Sequence, residues 1–159
     1  MIKLNKFFAA VGTGLLLSAC QDMPLYEKSF SFADKTWSQT VKPKFRIDIK
    51  DTSKYYDFIL TVRTTTDYDF NNLWIFLNTQ TPSGAKGREP FEIKIQNEDG
   101  TWAGKKTGTI VEFPLTFKSK KMPEKGIYTF TVEQAVTQSK ITELLDITYK
   151  AVEVNEKTN

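Results

Sequence analysis

The chain has 159 residues, a formal net charge of +3, no histidine and a single cysteine. The missing histidine removes the usual general base, the usual zinc ligand and any Ser-His-Asp arrangement together. One cysteine excludes an internal disulfide, and a charge so close to zero gives no electrostatic reason to expect nucleic acid or anionic lipid as a partner.

Residues 1–19 read as a removable leader. Lys3 and Lys6 supply positive charge, and no acidic residue occurs before Asp22. Phe7 to Leu17 follow as an apolar run broken only by Gly12, Thr13 and Gly14. At roughly a dozen residues it is shorter than the roughly 20 that a bilayer demands, so it suits a signal-peptide core. Leu17-Ser18-Ala19-Cys20 closes the leader and looks like the lipobox of bacterial lipoproteins. That resemblance implies that Cys20 carries a diacylglycerol on its sulfur, that cleavage falls before Cys20, and that the new amine is acylated. Two or more acyl chains anchor firmly where one binds only marginally. Lys3 and Lys6 leave with the leader, taking the net charge from +3 to +1.

Residues 20–25 make a short tether, spanning roughly 20 Å at about 3.3–3.6 Å per residue. The predicted domain, 26–155, then alternates apolar and polar residues. Tyr26, Phe30 and Phe32 suggest a first strand, and Trp37 and Val41 a short extended piece. Phe45, Ile47 and Ile49 alternate with Arg46, Asp48 and Lys50, and Tyr56, Phe58, Leu60 and Val62 share one face of a longer strand. Asp67 to Asn72 form a polar turn. Leu73-Trp74-Ile75-Phe76-Leu77 is apolar on both faces, which predicts a central strand.

The second half continues in this style. Phe91, Ile93 and Ile95 alternate with charged and amide residues, and Asn97-Glu98-Asp99-Gly100 is a turn suited to positive backbone dihedrals. Trp102, Gly104 and Gly108 punctuate a loop before Val111, Phe113, Leu115 and Phe117. Tyr128, Phe130 and Val132 form another alternating strand. Ser139 to Asp146, with Ile141, Leu144 and Leu145 on one side, reads as a short helix. A last strand spans 147–154, and 156–159 form a frayed polar tail. The predicted fold is all-β: an antiparallel β-sandwich, jelly-roll or immunoglobulin-like, of about eight or nine strands with one short helix near the C-terminus.

No catalytic constellation emerges, so no enzyme, metal or cofactor is expected. Asp48, Asp57, Glu92 and Glu133 fall on outward beats of their strands, where a solvated face explains them. Asp67, Asp69, Asn71 and Asn72 lack the turn glycine and closing glutamate of a calcium loop. Trp37 and Trp74 are expected in the core. Trp102, in a loop flanked by Gly100 and Gly104 and near Asp99, either caps an open end of the sandwich or faces a ligand, as a sugar-stacking platform or a docking anchor. Asp99, Trp102 and Gly104 form the candidate binding surface.

Three segments together resemble one family. Asp67-Tyr68-Asp69-Phe70-Asn71-Asn72-Leu73, Asp99-Gly100-Thr101-Trp102-Ala103-Gly104, and Gly126 through Val132-Glu133-Gln134-Ala135 follow the lipobox in the order seen in the GldH gliding-motility lipoproteins of the Bacteroidetes. The Gln-Ala pair in that family is often followed by a basic residue, where this chain has Val136 and Thr137. The resemblance implies a non-catalytic envelope lipoprotein, coupled to gliding and the type IX secretion apparatus, with protein partners and no catalytic residues to carry over. It implies an accessory or scaffold role, since members also occur in relatives that do not glide. Gln21 stands where an aspartate would mark inner-membrane retention, and a lone Asp22 is a poor match to the acidic stretches of surface lipoproteins, so the outer membrane, periplasmic face, is expected. A surface glycan-binding sandwich is the alternative reading.

Overall fold

The structure, a computed structural model, describes residues 23–154. The predicted leader, Cys20 and the tail 156–159 lie outside the described residues.

Among the described residues eleven strands follow one another: β1 (Tyr26–Ser31), β2 (Trp37–Ser38), β3 (Lys44–Ile49), β4 (Tyr55–Thr65), β5 (Asn72–Gln80), β6 (Lys86–Lys94), β7 (Lys105–Thr107), β8 (Ile110–Lys121), β9 (Gly126–Gln134), β10 (Lys140–Ile141) and β11 (Leu144–Val154). β3, β4, β5 and β9 form where every second side chain can be buried. β4 buries Tyr56, Phe58, Leu60, Val62 and Thr64 in strict alternation, and β3 buries Phe45, Ile47 and Ile49 while exposing Lys44 and Arg46.

All pairings are antiparallel. One sheet has the order β1-β11-β4-β8-β7, the other β3-β9-β5-β6, and β10 pairs with β2 in a short third ladder. The inner faces of the two large sheets pack as an all-β sandwich through aromatic residues. Phe58 of β4 meets Phe130 of β9 at 5.4 Å between ring centroids, and Phe130 meets Tyr149 of β11 at 5.0 Å. Phe45 stacks on Tyr149 at 5.5 Å, and Phe91 meets Phe117 edge-on at 5.0 Å. Offset and edge-to-face pairs of this kind add about 0.5–1.5 kcal/mol each beyond their burial. At one end Trp37 is fully buried, its indole N–H donating to the Val41 carbonyl at 2.8 Å. The Gln134 amide donates to the Trp37 carbonyl at 2.9 Å, tying the small ladder to β9.

Three expectations need correction. The helix expected over Ser139 to Asp146 is absent; that stretch is β10, a tight corner and the start of β11. Glu143 sits at the corner with φ 62°, a left-handed conformation no helix interior accepts. Ile141 and Leu144 are both buried, so the spacing that mimicked a helical stripe serves a strand–turn–strand instead. Trp74, expected in the core, is 41% exposed. Its strand does lie inside its sheet, but only the Leu73-Ile75-Leu77 face is covered by the opposing sheet. The glycine-punctuated loop also holds β7, an exposed three-residue strand carrying no apolar signal.

Candidate functional site

The Asp99-Trp102-Gly104 surface is built into the fold. Asp99 Oδ1 accepts from the Thr101 backbone N–H at 3.0 Å and from the Thr101 hydroxyl at 2.6 Å, and these bonds hold its carboxyl below the usual aspartate range. Trp102 is half-buried against the core, and its backbone bridges to Gln96. Gly104 leaves no room for a side chain. A Cβ there would lie 2.3 Å from the Glu112 carbonyl oxygen and 2.6 Å from the Phe113 ring. The glycine permits close packing on β8, and its backbone is half-buried.

The open aromatic surface lies elsewhere. Exposed Phe70 and Trp74 flank a cleft of about 280 Å³, with Tyr68, Val136 and Ile141 as its apolar lining and Asn72, Thr137 and Gln138 as polar lining. Tyr68 is buried; its hydroxyl donates to the Asn72 carbonyl at 3.2 Å, and burial raises its pKa well above the normal tyrosine range. The Tyr68 and Phe70 rings meet edge-on at 5.7 Å. The Trp74 carbonyl accepts from Ala135 N–H at 2.8 Å, fixing the backbone beneath the exposed ring. Opposite Trp74 on β6 stands Glu92, which accepts from the Asn72 side chain at 2.7 Å. Two of the three resemblance-bearing segments, Asp67–Leu73 and Gly126–Ala135, therefore converge on one cleft. The signal that could have located it was period two within β5: Asn72, Trp74 and Phe76 share the face opposite Leu73, Ile75 and Leu77.

The chemistry available here is contact and stacking. Among the described residues no three of histidine, cysteine, aspartate and glutamate gather to hold a metal, and no helix is long and apolar enough to cross a membrane. Asp67 and Asp69 are exposed, and the Asn71 carbonyl accepts from the N–H groups of Ile95 and Gln96 at 2.9 and 3.1 Å.

These features define a class: a two-sheet β module presenting an aromatic cleft on the outer face of its smaller sheet. Comparison with known proteins narrows it. The family model for GldH lipoprotein matches residues 24–150, and the chain belongs to that family. A gliding motility lipoprotein GldH of Flavobacterium johnsoniae is 28% identical over 125 residues, covering 79% of this chain and 77% of that protein. A GldH homolog of Christiangramia forsetii is 26% identical over 133 residues, covering 83% and 81%. The structure of infectious bursal disease virus Gx strain overlays with a TM-score of 0.37 at 12% identity, over 93% of this chain and 36% of that one.

Proposed function

We propose that the protein is a non-catalytic, lipid-anchored envelope component, an accessory or scaffold part of a gliding-motility assembly linked to type IX secretion. The observation that carries this reading is the cleft at Phe70 and Trp74, where two segments marking the family meet at an exposed aromatic surface. An exposed tryptophan beside a second ring, rimmed by amides and hydroxyls, has the composition of a docking anchor for another protein. Cys20, with Leu17, Ser18 and Ala19 as its processing signal, supplies the membrane attachment. Family relatives bearing the name gliding motility lipoprotein support the setting. The outer membrane, periplasmic face, is the location we favour.

The test is co-purification from gently solubilised membranes of the host. Wild-type protein should bring down a defined envelope partner, and the Phe70→Ala/Trp74→Ala protein should lose it while remaining folded and membrane-bound. A Lys105→Ala/Lys106→Ala control on β7, at the far edge of the other sheet, should keep it. Equal recovery by all three would refute the cleft as the docking site. The glycan reading now points to Trp74 rather than half-buried Trp102; saccharide binding by the purified protein that Trp74→Ala abolishes would favour that reading instead.

A further inference from the structure

The outer face that carries Trp74 changes character along its strands. Four to six residues further along β5, roughly 13–20 Å at a strand's rise, the aromatic surface gives way to a cationic groove. Its volume is about 470 Å³, and no apolar side chain lines it. Lys42 and Lys44 enter from the β3 side, and Lys86 and Arg88 from β6. A single carboxylate, Glu133, faces them, and it is already engaged by Lys42 at 3.0 Å and by Arg88 at 3.2 Å. Lys44 and Lys86 form no ion pair among the described residues, and Arg46 stands exposed in the next outward position of β3. Arg88 also covers the Phe76 ring at 3.9 Å, so the groove offers charge and no stacking surface. A near-neutral domain thus concentrates unbalanced positive charge on one face.

The start of the chain says what lies against it. β1 begins at Tyr26 and pairs with β11, whose Tyr149 stacks on Phe45 of β3. The described chain therefore starts beside β3, the strand carrying Lys44 and Arg46. Tyr26 lies six residue steps after Cys20. Fully extended they reach roughly 20 Å, so the bilayer surface lies within that distance of the groove's edge. We propose that this basic face rests on the anionic headgroups of the membrane holding the Cys20 lipid, through Lys42, Lys44, Arg46, Lys86 and Arg88. The inference rests on lipidation of Cys20 and adds the side on which the domain lies. Each cation near an anionic leaflet is worth about a five-fold gain in attraction. The attraction fades as salt shortens the screening length from about 30 Å at 0.01 M to about 3 Å at 1 M.

Lysine acylation rates on the full, processed protein test this directly. The protein is reconstituted on phosphatidylcholine vesicles, or on vesicles of phosphatidylcholine and phosphatidylglycerol in equal parts. Lys44 and Lys86 should react several-fold more slowly on the anionic vesicles at low salt and recover at high salt, while Lys105 and Lys106 on β7 react alike on both. The Lys44→Glu/Lys86→Glu protein, altered at two exposed positions, should melt as the wild type does and lose the protection at Lys42. Equal rates on the two vesicle types overturn the inference while leaving the anchor intact. Failure to float with neutral vesicles removes the anchor and the inference together. Poly-glutamate or polygalacturonate bound in detergent by these same lysines, with no protection on anionic vesicles, would assign the face to a soluble polyanion and also overturn it.

Discussion

Leu73 and Trp74 are adjacent in sequence and opposite in environment: one fully buried between the sheets, the other 41% exposed. An apolar run invites the reading that both faces are covered, and here only one is. Removing the exposed ring should cost little stability and much contact. Trp74→Ala is expected to shift the thermal midpoint only slightly while weakening partner capture by about 2 kcal/mol, roughly 30-fold, as a central aromatic anchor does. Titration of the purified partner against both proteins measures it. Arg63 presents the reverse case. It binds the carboxylate of Asp146 through two nitrogens, with Nε donating to Oδ1 at 2.9 Å, and Asp146 is nearly inaccessible. The contact favours the charged guanidinium and raises the arginine pKa. Arg63→Ala leaves a buried acceptor unmatched and should lower stability by about 1–3 kcal/mol in urea unfolding. Arg63→Lys should recover only part, because an ammonium cannot make the paired contact.

At the level of elements, the close approach of the Gly104 segment to β8 makes a sharp prediction. Gly104→Ala drives a methyl into the Glu112 carbonyl, and destabilisation of about 1–3 kcal/mol, read by the urea midpoint, is expected from overpacking. The corner between β10 and β11 makes another. Glu143 accepts from Lys35 at 2.8 Å and from the Thr65 hydroxyl at 2.5 Å, and these bonds lower its pKa. A carboxylate whose folded pKa is depressed contributes fully above its unfolded value, near 4.3. That contribution is lost as pH falls through the folded value. Wild-type thermal stability should therefore fall on acidification below about pH 4, and Glu143→Gln should show a shallower acid limb with a lower plateau at neutral pH.

The strands that could be read from sequence were those with one covered face. β3, β4 and β9 alternate cleanly because their outward side chains meet water. β6 began earlier than its apolar signal, since Lys86 through Pro90 are all exposed on an edge. There proline and charge discourage pairing with a further strand. β7 had no apolar residue to betray it. The corner at Glu143 was misread because Ile141, Leu144 and Leu145 sit at a spacing shared by a helical stripe and a strand–turn–strand, and only tertiary burial separates the two. The candidate site was legible as a loop motif, Asp67 to Leu73, but not as a cleft. Its other wall comes from residues 135–141, more than sixty positions away, and local periodicity carries no record of that meeting.

At the scale of the whole molecule, two sheets close one aromatic core, and the outer face of the smaller sheet is aromatic at one end and cationic at the other. On the proposed reading the sandwich acts by position, and that position is set by a lipid on Cys20. The most direct measurement is mass spectrometry of the N-terminal peptide from protein isolated from its own host. The account predicts a peptide beginning at Cys20 and carrying diacylglycerol on its sulfur. A bare cysteine, or a peptide still bearing Leu17-Ser18-Ala19, would contradict it.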